Sequence, residues 1–299
     1  MLRSYAQLLR LPNLFTAWAD VFLGWLIASG SADSLFVVLA ASSGLYSAGM
    51  VLNDFFDAEV DARERPHRPI PSGKVPRWVA GLLGVVLLFG GVLASWLVPA
   101  NEGTFTLPIG PAQAVAVCLA LAVVLYDGLL KTTLIGPFVM GMCRFLNVLL
   151  ALCSTGYWPA WRHIWPAFVV GLYIVGVTAF ARREAEVSHR PSLALAALLM
   201  ALAIILATAA PTALQQYSEL GLMLYPLGLI VWGTVVGQPV FDALVEPSPS
   251  HVQRAVKTCI LGLIGLDALI AFALVGWSGL GIVLLLLPAI FLGRWIYST

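Results

Sequence analysis

Long apolar stretches separated by short polar ones run the whole length of this chain. A helix crosses a bilayer with about 20 predominantly apolar residues. Runs of that kind lie at roughly 14–30, 34–52, 78–99, 112–126, 136–155, 165–181, 192–210, 220–238, 256–276 and 279–296. Only Gly276-Trp277-Ser278-Gly279 separates the last two, so the pattern gives nine or ten spans, and ten is preferred. The expected fold class is all-α: a polytopic transmembrane helical bundle forming one domain over residues 1–299. Arg3 and Arg10 ahead of the apolar run Phe15 to Ser29 imitate a secretory leader. Trp18, Asp20 and Trp25 inside that run, and a second span directly after it, favour a first transmembrane helix.

Basic residues orient the bundle. With ten spans, all of the 16 Lys and Arg except Arg144 and Arg162 fall on one side. The positive-inside rule makes that side cytoplasmic. Nine spans would leave Arg294 outside. The cytoplasmic loops are then 53–77, 127–135, 182–191 and 239–255, and they hold nearly all the chemistry-capable side chains. The opposite loops are plain. One-sided function fits an enzyme with a cavity open to the cytoplasm better than a carrier, which needs polar features on both sides or at midplane. The charged loops after spans 2 and 6 hint at two four-helix halves.

Composition narrows the class. The chain is 60% hydrophobic and 10% charged, against about 25% charged in a soluble domain. A net charge of +1 argues against nucleic acid as a partner. Cys118, Cys143, Cys153 and Cys259 lie in spans without CxxC spacing and read as small apolar fillers.

The densest charge in the chain runs from Asn53 to Gly73. At about 100° per residue, Asp54, Asp57 and Asp61 fall within an arc of roughly 60°, with Asn53 at its margin and Glu59 opposite. Carboxylates crowded on one helix face repel one another, and a divalent cation removes that repulsion. Magnesium takes one or two carboxylates together with phosphate oxygens and water. The array points to Mg²⁺ holding a phosphorylated substrate.

This segment resembles the aspartate-rich signature of the UbiA superfamily of membrane prenyltransferases, N-D-x-x-D-x-x-x-D followed by a basic stretch and R-P-[IL]-x-x-G. The matching residues are Asn53, Asp54, Asp57 and Asp61, then Arg68-Pro69-Ile70 and Gly73. The resemblance implies that Asp54, Asp57 and Asp61 bind Mg²⁺ on the diphosphate of a prenyl donor, with Asn53 and Arg68 contributing to that site. It also implies transfer of the isoprenoid group to a hydrophobic acceptor, aromatic or lipid-like, by an integral protein of the inner membrane. Tyr126-Asp127-Gly128-Leu129-Leu130-Lys131 resembles the family's element after the fourth span. Lys131 would reach the diphosphate by charge-assisted hydrogen bonds and Tyr126 would line the cavity. The other reading of the pair is an interfacial Tyr and a snorkelling Lys.

Arg144 lies roughly 12 Å into its span at 1.5 Å per residue and must face a partner or a polar space. Phosphate and Asp127 are the candidates. Asn147 shares its face. Asp267 is a second intramembrane charge, for which a helix neighbour is the simplest partner. After span 6 the family carries a second aspartate motif, whereas this chain reads Phe180-Ala181-Arg182-Arg183-Glu184-Ala185-Glu186 with no Asp. On a helix Arg182, Glu186 and Arg190 share a face. Arg182 is therefore expected to meet the diphosphate directly, unless the segment is only a salt-bridged helix end. These departures, with Cys143-Arg144-Phe145-Leu146-Asn147 and the stretch Pro249 to Lys257, are most similar to the EboC branch. The degenerate second motif leaves open a non-catalytic carrier or assembly factor that retains the fold. The D-G-x-x-A-R run of CDP-alcohol phosphotransferases is absent.

Overall fold

The computed structural model describes residues 2–98, 109–182, 189–214 and 217–297. Among the described residues all regular structure is helical. Among the described residues ten helices are long and apolar enough to cross a membrane. We number them α1 (Leu11–Ala28), α2 (Ala32–Phe56), α3 (Arg77–Leu97), α4 (Pro111–Leu130), α5 (Gly136–Thr155), α6 (Trp161–Ala181), α7 (Arg190–Thr208), α8 (Glu219–Val245), α9 (Pro249–Val275) and α10 (Trp277–Ile296). The expected polytopic helical bundle of ten spans is what forms.

Local chemistry sets the helix starts. Pro12, Pro111, Pro137 and Pro249 sit in the first turns of α1, α4, α5 and α9, and Pro166 opens the α-helical part of α6 after the 3-10 turn Trp161–Ile164, where a missing N–H costs nothing. Ser31 caps α2 by accepting from the Ser34 N–H at 3.2 Å, and Ser218 caps α8 by accepting from the Gly221 N–H at 2.8 Å. Gly276, at φ 73, ends α9 and starts α10, so the break falls in the expected Gly-Trp-Ser-Gly stretch. Two boundaries move. α8 continues through Pro239 to Val245, and α9 begins at Pro249. The expected loop at 239–255 is therefore mostly helix. The polar residues Asp242, Arg254 and Lys257 dilute hydropathy at these ends without breaking the helices.

Each helix from α1 to α9 packs on the next, and α9 packs on α1, closing a circuit. α1 also meets α5, and α6 meets α9, while α10 rests on α1 and α9. α5, α6 and α9 are the most enclosed spans; α3 and α10 present most of their surface outward. Of the cysteines, Cys153 and Cys259 are buried as fillers, but Cys118 is exposed.

Close helix contacts rest on glycine. A Cβ on Gly91 of α3 would stand 2.7 Å from the Leu45 backbone nitrogen and 2.9 Å from the Ala41 carbonyl oxygen on α2. Backbone cannot move aside as a side chain can. Gly91→Val is expected to destabilise the bundle by about 1–3 kcal/mol through overpacking, whereas Gly90→Val, with nothing within 4 Å of the added Cβ, leaves stability unchanged. Thermal unfolding in detergent checks both.

Candidate functional site

The Asp-rich segment stands at the end of α2. It is not one unbroken helix, as the spacing predicts: α2 ends at Phe56 and a short helix runs from Ala58 to Glu64, with Asp57 at the joint (φ −80, ψ 0). The i to i+4 ladder still crosses the joint, from the Asp57 N–H to the Asn53 carbonyl at 3.0 Å and from the Asp61 N–H to the Asp57 carbonyl at 2.8 Å. The shared face therefore survives. Asp54 and Asp61 are buried. Glu59 points away, exposed and paired with Arg77 at 3.2 Å.

The following loop returns Arg68 to this face. Gly73 adopts φ 72, the Val75 N–H bonds the Pro69 carbonyl at 3.0 Å, and Ile70 and Val75 bury beside Leu8, Val51, Ala58 and Ala80. That small apolar cluster anchors the loop. One Arg68 nitrogen then donates to Asp54 at 3.2 Å and to Asp61 at 2.6 Å. Arg10 donates to Asp54 at 3.1 Å and to Asn53 at 3.4 Å. Its backbone is left-handed (φ 47, ψ 47) at the start of α1, a conformation costing a non-glycine residue roughly 1–2 kcal/mol. Observed strain at such a place is a pointer to function. Asp127 accepts from the Asn53 amide at 3.0 Å.

Lys131 pairs with Asp57. Its position follows from a wide turn over Tyr126–Leu130 at the end of α4, where the Lys131 N–H reaches back five residues to the Tyr126 carbonyl at 2.9 Å. Such π-type turns inside helices concentrate at functional sites. Tyr126 and Asp127 are buried there. Arg182, exposed, donates to the Thr132 carbonyl just past Lys131 at 3.0 Å. Glu184 and Glu186 lie outside the described residues. Arg190 opens α7 and donates to the Val245 carbonyl at 2.7 Å, so α6 does not continue through it as the shared-face expectation supposed.

Arg144 pairs with α1 and not with Asp127. It donates to Asp20 at 2.9 Å and to Thr16 at 2.7 Å on α1, and lies 5.5 Å from the centre of the Tyr46 ring on α2. Asn147 donates to Asp20 and to the Ala17 carbonyl, both at 3.0 Å, and accepts from Ser42 at 2.7 Å. Asp20 is fully buried. Sequence reasoning missed Arg10, Asp20 and Asp127 as site residues. The available signal for Asp20 was charge balance, since it is an intramembrane acid in a chain with an intramembrane arginine.

The three motif carboxylates each give one oxygen to a basic neighbour: Asp54 Oδ1 to Arg10 and Arg68, Asp57 Oδ2 to Lys131, and Asp61 Oδ2 to Arg68. Hard oxygen donors of this kind suit Mg²⁺. Among the described residues no three acidic, His or Cys side chains already converge closely enough to hold a metal, because the Arg68 guanidinium stands between Asp54 and Asp61.

Acids and bases gathered at one end of a closed circuit of long apolar helices define the class: a polytopic helical membrane protein with a charged cluster at the end of α2. The UbiA prenyltransferase family model matches residues 14–247, and the chain belongs to that family. It is 31% identical over 186 residues to the digeranylgeranylglyceryl phosphate synthase of Methanoregula boonei, covering 62% of this chain and 60% of that one. It is 44% identical over 89 residues to the Methanothermobacter thermautotrophicus protein of the same name, covering 29% and 31%. The chain thus spans between about a third and three fifths of the length of these curated relatives. A solved structure described as giving insights into digeranylgeranylglyceryl phosphate synthase superposes with a TM-score of 0.65 at 23% identity, over 91% of this chain and 98% of the other. A UbiA homolog from Archaeoglobus fulgidus bound to GPP and Mg²⁺ gives 0.64 at 14%, over 89% and 99%. These likenesses establish the fold.

Removing Arg144 leaves Asp20 buried without its cation. Arg144→Ala is expected to cost about 3–5 kcal/mol, read as a loss of thermal stability. Adding Asp20→Asn should recover part of that loss, and a double-mutant cycle measures the coupling.

Proposed function

We propose that this protein is a Mg²⁺-dependent prenyltransferase of the inner membrane that moves an isoprenoid group from a prenyl diphosphate to a hydrophobic, lipid-like acceptor, with its active mouth on the cytoplasmic side. The observation that carries this reading is the convergence of Asp54, Asp57 and Asp61 with Arg10, Arg68 and Lys131 at the end of α2. The orientation rests on the one-sided basic residues. The lipid-like acceptor is favoured by relatives named digeranylgeranylglyceryl phosphate synthase.

In this reading Asp54, Asp57 and Asp61 hold the metal, and Asn53 helps fix Asp127 and Arg10 around them. Mg²⁺ supplies electrostatic stabilisation of charge growing on the leaving diphosphate. With the metal held by those carboxylates, Arg68 and Lys131 would be the basic side chains placed to donate to the diphosphate. Arg182, held next to Lys131 by the Thr132 carbonyl, extends the basic rim. Tyr126, buried beside Asp127, would line the cavity. Arg144 and Asn147 act as positioning groups, because their hydrogen bonds tie α5 to α1 and α2 beneath the mouth.

Purified protein given geranylgeranyl or farnesyl diphosphate and candidate acceptors should release diphosphate only with Mg²⁺. Chelation should abolish release and added Mg²⁺ should restore it. Asp54→Ala and Asp57→Ala should lose turnover while remaining folded; full activity in either removes that residue from metal ligation. Lys131→Ala is expected to lower kcat by about 10²-fold, the usual cost of one donor to a developing anion. Arg182→Ala should weaken donor affinity, and unchanged affinity removes it from direct contact.

A further inference from the structure

Asp267 stands two-thirds of the way along α9, fully buried, and neither of its oxygens meets a hydrogen-bond donor. The second oxygen of Asp20, Oδ1, is likewise buried without a donor. The two carboxyl groups are neighbours across the α1–α9 seam that closes the helix circuit, and their unpartnered oxygens are buried there together. Two acids in contact cannot bond without a proton, because a carboxylate has only acceptors.

Charge counting leads to the same place. Asp20 and Asp267 carry two negative charges if both are ionised. Arg144 supplies one positive charge, aimed at Asp20 Oδ2. The nearby Tyr173 hydroxyl on α6 already donates to the Cys259 carbonyl at 3.0 Å. Asn147, Thr16 and Ser42 are neutral. One negative charge would remain uncompensated inside the membrane, which is strongly unfavourable.

We propose that Asp20 and Asp267 form a proton-binding site in which one bound proton bridges Asp20 Oδ1 and the Asp267 carboxyl. The bridge joins α1 to α9 and brings the Asp20–Arg144–Asp267 cluster to neutrality. The proton comes from water and no other bond changes. The site is separate from the mouth. Asp20 lies about 15 Å along the chain axis from Arg10 at 1.5 Å per residue, and the proposal does not depend on the transferase reading.

Infrared spectroscopy of the purified full chain in detergent at neutral pH tests it. A carboxylic-acid carbonyl band is expected, shifting in D2O and absent from Asp267→Asn, whose amide still donates to Asp20 and so keeps the seam. A band that persists unchanged in folded Asp267→Asn overturns the proposal, and so does a wild-type protein without the band. If Asp267→Asn fails to fold, Asp127→Asn removes another buried carboxyl, and the band must survive that change; its loss there also overturns the proposal. Titration with NaCl against choline chloride distinguishes the other occupant. A band abolished by sodium means that an alkali cation, not a proton, fills the site under salt.

Discussion

Arg144 meets Asp20 across 2.9 Å between α5 and α1, at a depth where water is scarce. A single arginine at a helix centre costs at least about 2.5–3.5 kcal/mol without such company. The contact fixes how α1 and α5 are rotated against each other, because only one face of each helix can satisfy it. Asn147 then locks the same face to Ser42 on α2. Three helices that build the mouth are thereby indexed to one another from below. The charged cluster inherits its geometry from this buried arrangement: Arg10 stands just ahead of α1, Asn53 and Asp54 on α2.

The polar groups on α2 form a stripe. Ser42, Tyr46 and Asn53 are separated by four and seven residues, and at about 100° per step they share one side of the helix. Along that side the partners change with depth, from Asn147 to the Arg144 guanidinium to Asp127. The bundle therefore hides a polar seam inside an apolar exterior, which explains why mean composition looks so strongly lipophilic while the chemistry-bearing residues still find one another.

The helical count and the Asp face were legible in the sequence because both depend on simple periodicity. Ten apolar runs give ten spans, and Asp54, Asp57 and Asp61 keep their shared side even though Asp57 breaks the helix. Tertiary pairing was not legible. Arg144 was assigned phosphate or Asp127 because those lie near it in sequence or in the expected reaction, but a helix 124 residues away supplies its acid. Arg10 looked like an orienting charge ahead of a first span. Its left-handed backbone, which turns the side chain onto Asn53 and Asp54, has no sequence signature in a residue that is not glycine, Asn or Asp. The ends of α8 and α9 were misplaced because hydropathy measures where lipid contact stops, and a helix can outlast it.

The wide turn at the end of α4 carries a consequence of its own. In a straight α-helix, five steps would leave Lys131 about 140° around the axis from Tyr126. Closing the loop through one added residue brings the lysine nearly above the tyrosine instead. The phase of that helix end, and not merely the kinds of side chain on it, decides which way its cation is aimed. A chain with the same letters and a regular last turn would carry the same net charge and aim it away from Asp57.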